Sequence, residues 1–423
     1  MAWPRALAPL RQRRYAALWT GAFASNVGTW METVGVAVLV TTRTGQAGWT
    51  GLVAAAGFLP NALIGPLGGA LADRIPRRRL LLGTTTVQTI LAGALTAMAA
   101  TNTAVPWAVT LIVFASGCAG ALGFPSYQAL MPDLVPREDL TGAVALGAAQ
   151  WNLGRVIGPA LAGIVIGLGG YSWAFAVNTV SFLAVIAAIA PLRLPDPRPV
   201  PGETIRAAIA AGARFAWREP GIRAVIVYLA CNSLLAAPFI ALVPAVAAHV
   251  FGDAAGGTAV LVSAQGVGAV AMALTLGTLA YRYGHRRTVL LCLTGLPIAL
   301  ILYALAPTLA LAAVAIFAVG ALYLGCLSSF TTIAQLRAPP ELRGRVLSAL
   351  MVLLGLLYPI GSVVQGTLAD EVGLRATTAG AAVLLAVTVV MVRIWRPGFD
   401  RDLADAAAPT PGVASTTLAS ADQ

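Results

Sequence analysis

Between two long apolar runs, the chain carries the charged segment Gly69-Ala-Leu-Ala-Asp73-Arg74-Ile-Pro-Arg77-Arg78-Arg79-Leu80-Leu81. Five charged residues fall between positions 73 and 79, although charged residues make up only 10% of the chain. A second copy begins at position 277 and reads Gly277-Thr-Leu-Ala-Tyr281-Arg282-Tyr-Gly284-His285-Arg286-Arg287-Thr-Val-Leu290. Each copy follows the second apolar run of its half of the chain, which indicates a duplicated membrane protein.

The composition identifies lipid as the solvent of this chain. Of its 423 residues, 58% are hydrophobic, and the mean hydropathy is +0.83. A soluble domain has roughly half apolar and about a quarter charged residues, and it could not hide this much apolar surface from water. The net charge of +11 does not indicate a nucleic-acid partner, because the arginines lie almost entirely in short loops beside apolar runs.

Twelve apolar runs are long enough for a transmembrane helix, which needs about 20 mostly apolar residues. They cover residues 15–41, 49–72, 80–101, 106–130, 142–168, 172–192, 223–249, 256–280, 288–306, 308–333, 346–369 and 376–395. Helices are expected because an open strand leaves its backbone polar groups unsatisfied in lipid, and the runs lack the alternation of barrel strands. The sequence predicts an all-α membrane protein whose twelve transmembrane helices form two pseudo-symmetric six-helix halves.

The arginines predict how the helices are oriented. The two termini, the central segment and every second loop contain 24 arginines, the opposite loops contain only Arg43 and Arg375, and Arg155 lies inside a run. Basic residues accumulate in cytoplasmic loops, so both termini of this multi-pass protein of the cell (inner or plasma) membrane should be cytoplasmic. We expect a cytoplasmic N-terminus (1–14), a first half (15–192), a cytoplasmic linker with an amphipathic helix over 203–219 (193–222), a second half (223–395) and a disordered tail (396–423).

The paired segments, the twelve runs and the linker together resemble the major facilitator superfamily over about residues 10–398. The superfamily's loop motif is Gly-x-Leu-Ala-Asp-Arg-x-Gly-Arg-Arg, and the first segment matches it except at Pro76. The resemblance implies a conformational latch formed by Gly69, Asp73, Arg74, Arg77, Arg78, Arg282 and Arg286. Tyr281 replaces the acid in the second copy, so the latch should be asymmetric. For Arg78 and Arg79 the alternative is a contact with anionic headgroups.

Four further stretches narrow the resemblance. They are Ser25-Asn26-Val-Gly28-Thr-Trp30-Met31, Val135-Pro-Arg-Glu-Asp-Leu140, Asn152-Leu-Gly154-Arg155-Val-Ile-Gly158-Pro159 and Leu342-Arg-Gly-Arg-Val346. Together they are similar to the enterobactin-exporter and macrolide-efflux branch of drug:proton antiporters. Gly154, Gly158 and Pro159 resemble the antiporter motif of exporters, with Ala145 in place of its first glycine. The alternative is ordinary close packing of a glycine-rich helix.

Glu32 and Arg155 are the charged residues deep inside the predicted spans. Intramembrane charges are expensive and therefore indicate a functional site. Burial favours the neutral form of a carboxyl group, so Glu32 could take up a proton near neutral pH. The two residues lie about 17 and 14 residues from the cytoplasmic ends of their runs, so their depths differ by only about 5 Å. We expect them to pair and to couple protons to transport; the alternatives are a static ion pair and a hydrated Glu32.

Polar and aromatic residues inside the runs are candidates for lining a substrate cavity, because buried amides in lipid need polar partners. Several of them could instead form only interhelical hydrogen bonds. The mostly apolar set suits hydrophobic or amphipathic substrates. The candidates are Asn26, Trp30, Asn61, Tyr127, Gln128, Trp151, Asn152, Asn178, Asn232, Gln265, Tyr358 and Gln365.

The sequence lacks the motifs of other energy sources and chemistries. It contains no Walker motif, so ATP does not drive the protein directly. Its four cysteines lie singly inside apolar runs, which gives no support for a metal site. No residue set suggests an enzyme. We expect no cofactor, a proton gradient as the energy source, and a monomer that contacts lipid and a small-molecule substrate.

These observations predict a secondary active transporter that works by alternating access and exports hydrophobic, drug-like or siderophore-like compounds in exchange for protons. Two alternatives stay open at this point. One is an importer or uniporter of the same fold. The other is a receptor or assembly factor that has the shape of a transporter but moves no solute.

Overall fold

The computed structural model describes residues 5–72, 74–192, 213–340, 342–396, 398 and 403, and these residues contain helices but no strand. The predicted all-α membrane fold is therefore confirmed. The helices are α1 (Arg13–Thr44), α2 (Ala47–Leu63), α3 (Gly65–Ala72), α4 (Arg77–Ala100), α5 (Pro106–Leu134), α6 (Leu140–Gly169), α7 (Tyr171–Ile189), α8 (Pro220–Cys231), α9 (Phe239–His249), α10 (Ala254–Leu305), α11 (Leu309–Arg337), α12 (Arg343–Val372) and α13 (Leu374–Trp395).

The number of spans agrees with the sequence prediction once the longest helix is divided. In the described chain, ten helical segments are long and apolar enough to cross a membrane, and the bent pair α2–α3 makes an eleventh. Helix α10 has 52 residues, which would measure about 78 Å against a hydrocarbon core of about 30 Å. Gly284 interrupts α10 with φ 80° and ψ 153°, a conformation that favours glycine. Each of its two arms is long enough for a span, so the described residues are consistent with the predicted twelve spans.

Two spans depart from a straight helix in ways that the apolar runs did not predict. Helices α2 and α3 meet at a bend of 43° beside Pro66, and proline bends a helix because it lacks a backbone donor and its ring clashes with the preceding turn. Helices α8 and α9 are joined by the π-helical segment Asn232–Ala236. Across the bundle, Gln365 on α12 donates from Nε2 to the carbonyl oxygens of Leu234 and Leu235 at 3.1 and 3.0 Å. The amide of Gln365 thus satisfies carbonyl groups at the irregular segment.

The predicted linker is described only in part. Residues 193–212 lie outside the described residues, and 213–218 are helical. Glu219, which we placed at the end of the linker helix, instead caps α8 by accepting a hydrogen bond from the backbone N–H of Ile222. Its other carboxylate oxygen pairs with Arg337 at 2.8 Å. The domain boundaries stay a prediction.

The two ends of the bundle differ in charge and in packing. The arginine-rich end contains the connections at 74–76, 137–139 and 338–340, and the arginine-poor end contains those at 45–46, 101–105 and 250–253. Helix α3 reaches the arginine-rich end and packs on α2, α4 and α5, all within the first six spans. Towards the arginine-poor end, α2 packs along α12 and α6 packs along α10, so contacts between the first and last six spans concentrate there.

Glycines bring several of these helices into close contact. A Cβ atom on Gly366 would lie 2.8 Å from the carbonyl oxygen of Ala47, and one on Gly163 would lie 2.6 Å from the Cβ atom of Ala259. Within the last six spans, Gly268 on α10 lies against the carbonyl group of Phe317 on α11, and Gly320 on α11 lies against that of Gln265. Small residues permit such backbone approach between membrane helices.

We predict that Gly268→Ala destabilises the fold, because the added methyl group would overlap the Phe317 carbonyl group. Overpacking of this kind costs about 1–3 kcal/mol. The matched control is Gly277→Ala on the same helix, where nothing lies within 4 Å of an added Cβ atom. Thermal unfolding of the purified protein in detergent should give a lower melting temperature for Gly268→Ala alone, and equal melting temperatures would contradict this packing.

Candidate functional site

Glu32 is held between α1 and α7 by an amide. Asn178 donates from Nδ2 to Oε2 of Glu32 at 2.7 Å, and its Oδ1 accepts a hydrogen bond from Ser181 Oγ at 3.1 Å. Gly28 makes room for this group, since a Cβ atom there would lie 2.6 Å from Asn178 Oδ1. Twelve residues separate Glu32 from the end of α1 at Thr44, so the carboxylate lies about 18 Å along the helix from the arginine-poor end.

Arg155 lies on α6, beside the same helix α1. Its guanidinium carbon is 5.8 Å from the centroid of the Trp30 ring, which is a cation–π distance. The antiporter-like glycines explain this approach: a Cβ atom on Gly154 would lie 3.1 Å from that of Asn26, and one on Gly158 would lie 2.5 Å from that of Trp30. The motif therefore allows α6 to approach α1 closely enough for Arg155 to cover Trp30.

The expected ion pair between Glu32 and Arg155 is absent from this conformation. Among the described residues, the ion pairs are Arg77–Asp133 and Arg337–Glu219. The prediction was wrong because similar depth does not make two side chains face each other. Glu32 faces Asn178 on α7, whereas Arg155 faces Trp30 and the interface with the last six spans.

Aromatic side chains surround the position of Arg155. Trp151 contacts Trp30 edge to face at 6.0 Å. From the other set of spans, Tyr323 on α11 and Tyr358 on α12 lie in the neighbourhood of Arg155. Tyr358 also meets Phe58 of α2 edge to face at 5.1 Å. The arrangement brings aromatic groups from both sets of spans to one level of the bundle.

The other amides predicted to line a cavity have varied positions. Asn61 and Asn152 donate to carbonyl oxygens of their own helices, those of Phe58 and Ala148. Gln128 is exposed on α5. Two further amides are buried, and among the described side chains neither Asn232 nor the Nε2 atom of Gln265 has a hydrogen-bond partner. Only part of the predicted set therefore lies near Arg155.

Sequence reasoning missed several residues of this region. Gln150, which is buried, accepts a hydrogen bond from Tyr127 at 3.4 Å. Phe58 and Tyr323 were missed although they are aromatic residues within predicted runs. Their spacing gives the face of a helix but not the neighbour opposite, so no signal in the sequence separated them from lipid-facing aromatics.

Two arginines of the first charged segment, Arg77 and Arg78, bind within the first six spans. Arg77 donates from Nη1 to Asp133 Oδ2 at 2.7 Å and to the Ala129 carbonyl oxygen at 2.9 Å. Arg78 donates to the Ala190 carbonyl oxygen at 3.0 Å through Nε and at 2.5 Å through Nη2. Arg78 therefore joins α4 to the end of α7. The alternative for Arg78 in the sequence analysis was a contact with lipid headgroups, and the structure adds this contact within the protein.

The other described residues of the predicted latch show no contact between the two sets of spans. Asp73 lies outside the described residues, and Arg74 is exposed. In the second copy Arg282 and Arg286 are exposed. An added Cβ atom on Gly69 would meet nothing within 4 Å. In this conformation Arg77 and Arg78 hold α4, α5 and α7 together.

A contact that sequence reasoning did not predict joins the two sets at the arginine-poor end. The carboxylate of Asp370 on α12 accepts hydrogen bonds from the backbone N–H groups of Ala47 at 2.6 Å and Gly48 at 2.9 Å. These groups form the N-terminus of α2, which carries the positive end of the helix dipole. The Asp370 contact therefore stabilises closure of this end.

A family model described as transmembrane secretion effector matches residues 4–419. The chain belongs to this family of the major facilitator superfamily. The resemblance inferred from the loop motif is therefore confirmed, and the chain is a multi-span membrane transport protein. The charged segments, the close α1–α6 packing and the aromatic group around Arg155 are thus features of a secretion effector.

Two curated relatives and one solved structure are similar to this secretion effector. The multidrug efflux pump Tap of Mycolicibacterium fortuitum is 29% identical over 87% of this chain and 91% of its own. Macrolide efflux protein A of Streptococcus pyogenes is 23% identical over 86% and 91%. A bacterial homologue of the human lysosomal transporter Spinster, in an inward-facing and occupied conformation, superposes with a TM-score of 0.73 at 15% identity, over 95% of this chain and 99% of its own. The last similarity shows the fold.

We predict that Asp370→Asn weakens closure of the arginine-poor end, since the charge that faces the α2 N-terminus is lost. A hydrogen bond to a charged group contributes about 1.5–3 kcal/mol, and solvent exposure of Asp370 reduces this to about 1 kcal/mol, so the open population should rise roughly fivefold. Spin labels at Gln46 and Val372 of a cysteine-free chain would report the distance across this end.

The matched control is Glu371→Gln, which removes the neighbouring exposed charge. Its distance distribution should equal that of the parent chain. If Asp370→Asn and Glu371→Gln give the same distribution, the Asp370 contact does not hold this end closed.

Proposed function

We propose that this secretion effector is a proton-coupled exporter in the cell membrane, which moves hydrophobic or amphipathic small molecules out of the cell by alternating access. One observation carries the proposal: the interface is closed at the arginine-poor end, while Glu32, Arg155 and aromatic side chains lie inside the bundle. The names of the relatives, a multidrug efflux pump and a macrolide efflux protein, support export.

The arginine-rich end faces the cytoplasm in this proposal. Its support is the presence of 24 of the 27 basic residues in the loops and segments assigned to that side, since positive charge is retained on the cytoplasmic side of membranes. The described conformation then opens towards the cytoplasm and can load substrate from inside the cell.

Glu32 carries the coupled proton. Ionisation of a carboxyl group in a dry interior is costly unless polar groups stabilise it, and the amide of Asn178 supplies one donor. Closure of the arginine-poor end removes water from Glu32 and so favours its protonated form. When that end opens, water reaches the carboxyl group and the proton can exchange. Protonation and the opening equilibrium are therefore linked.

The moving bodies are the predicted halves, 15–192 and 223–395, which rock about a central site as in other transporters built from repeats. The same helix pair, α2 and α12, carries the Asp370 contact at one end. At the other end lie residues 74–79 of the charged segment and the start of α12. The proton gradient supplies the energy, and the monomeric exporter needs no cofactor.

The aromatic surroundings of Arg155 suit a substrate with a large apolar body. Trp30, Trp151 and Phe58 offer ring faces and edges. Binding sites for small molecules are mainly apolar with a few placed polar groups. Sugars or phosphates would require a more polar lining.

Transport into inverted membrane vesicles tests the proposal. A panel of dyes, antibiotics and siderophores is supplied outside vesicles with an acidic interior, with and without a protonophore. If the protein is a proton-coupled exporter, the vesicles accumulate at least one compound inside, and the protonophore abolishes this accumulation. Accumulation that ignores the pH gradient indicates a uniporter, and failure to move any compound indicates a receptor or assembly factor; either result refutes proton-coupled export.

We predict that Glu32→Gln lowers gradient-driven accumulation at least tenfold but preserves exchange of substrate across the membrane without a gradient. Glutamine cannot release a proton, yet its side-chain carbonyl oxygen can still accept the hydrogen bond from Asn178 Nδ2. Inverted vesicles loaded with labelled substrate measure both activities. Glu371→Gln, at the exposed end of α12, is the control, and gradient-driven transport that survives in Glu32→Gln would exclude Glu32 as the proton carrier.

A further inference from the structure

Arg155 carries a positive charge that no acidic residue neutralises within the described chain. Neither ion pair found there includes Arg155, and the carboxylate of Glu32 is bound to Asn178 instead. A guanidinium group has five N–H donors and stays protonated in proteins. The face of the Trp30 ring lies 5.8 Å from the guanidinium carbon, and a ring face does not accept these N–H donors as a carboxylate would.

The guanidinium group of Arg155 keeps access to open space. In the described chain, Nε of Arg77 is a buried side-chain nitrogen without a hydrogen-bond partner, whereas no nitrogen of Arg155 is both buried and without one. Arg155 itself is only partly buried. Its donors are therefore neither sealed in the protein nor used by it.

The backbone of Arg155 lies at the interface between the two sets of spans. A Cβ atom on Gly266 of α10 would be 3.5 Å from the Arg155 carbonyl oxygen. One residue later, the Val156 carbonyl oxygen accepts a hydrogen bond from Ser263 of α10 at 3.3 Å. These contacts fix α6 against α10, so the place of the charge does not depend on a flexible loop.

Aromatic groups frame this charge from both sides of the interface. Trp30 and Trp151 contact each other on the side of α1 and α6. Tyr323 and Tyr358 approach from α11 and α12, where each is less than a tenth exposed. A planar ligand that reaches Arg155 would therefore meet aromatic side chains of both sets of spans.

We propose that Arg155 binds an acidic group of the substrate, and that the exported compounds are amphipathic organic anions with an aromatic or large apolar body. A carboxylate or phenolate accepts the fork of N–H donors that a guanidinium offers. A cation of the same shape is repelled by the unneutralised charge. The inference rests on the proposed function and specifies its substrate class.

Two dyes that share a xanthene body and carry opposite charge test this specificity. Fluorescein is an anion at neutral pH and rhodamine 123 is a cation. Fluorescence polarisation of each dye is measured with the purified full chain in nanodiscs. The wild-type protein should bind fluorescein at least tenfold more tightly than rhodamine 123.

Three variants assign the preference to Arg155. Arg155→Gln should weaken fluorescein binding at least tenfold and leave rhodamine 123 binding unchanged or stronger. Arg155→Lys should retain part of the preference, because lysine keeps the charge but lacks the fork. Arg14→Gln removes an exposed positive charge at the start of α1 and should behave as wild type.

The outcomes separate this inference from the proposed function. Failure of the wild type to bind fluorescein, a wild-type preference for rhodamine 123, or an equal effect of Arg155→Gln on both dyes overturns the anion site. If vesicles export rhodamine 123 with the proton gradient but not fluorescein, the exporter stands and the anion site falls. If fluorescein binds in an Arg155-dependent way but no compound is exported, the anion site stands and the exporter falls.

Discussion

The free-energy cost of placing a charged side chain in hydrocarbon determines where the charged residues of this protein lie. Such a charge is tolerated in the interior only where polar or aromatic groups stabilise it or where it serves a function. The chain meets this constraint in two ways: its arginines lie almost entirely at or beyond the ends of the spans, and the deep charges Glu32 and Arg155 face an amide and an indole ring. The topology, the helix packing around the site and the proposed coupling all follow from it.

Glycine determines where the deep charges can lie. Gly28 admits the Asn178 amide beside α1, and Gly154 and Gly158 admit α6 beside Trp30. The same device closes the interface at the arginine-poor end, where Gly51 and Gly366 bring α2 against α12. A bundle packed through small residues can exchange one set of contacts for another at modest cost, which alternating access requires.

Much of the fold could be predicted from the sequence because hydrophobic length and arginine position are local properties. The all-α membrane class follows from composition, and the charged segment Gly69–Leu81 led to the superfamily. The break at Gly284 falls between the predicted runs 256–280 and 288–306, whereas the bend beside Pro66 and the π-helical segment were not predicted. Each of these two features leaves the apolar run intact, so counting apolar residues cannot detect it.

Individual residues of the candidate site could be predicted from the sequence, but the contacts between their side chains could not. Glu32 and Arg155 were singled out as deep charges, yet their partners depend on which helix faces which. Asn178 was expected in the cavity and instead binds Glu32. The sequence analysis did not single out Asp370, because it lies just beyond the predicted run 346–369. An acidic residue outside a span does not by itself indicate a function. The role of Asp370 depends on the α2 N-terminus, 322 residues away in the chain from Gly48.

The proposed coupling between protonation of Glu32 and the movement of the two sets of spans is tested most directly by measuring distances between them at different pH values. Spin labels at the exposed positions Arg79 and Arg287 report the width of the arginine-rich end. Because closure of the opposite end favours the neutral form of Glu32, acidification should increase the population that is wide at the arginine-rich end, and Glu32→Gln should stay wide at every pH. A wild-type distance distribution that does not change between acidic and alkaline pH, or a Glu32→Gln variant that responds to pH as the wild type does, would contradict the account.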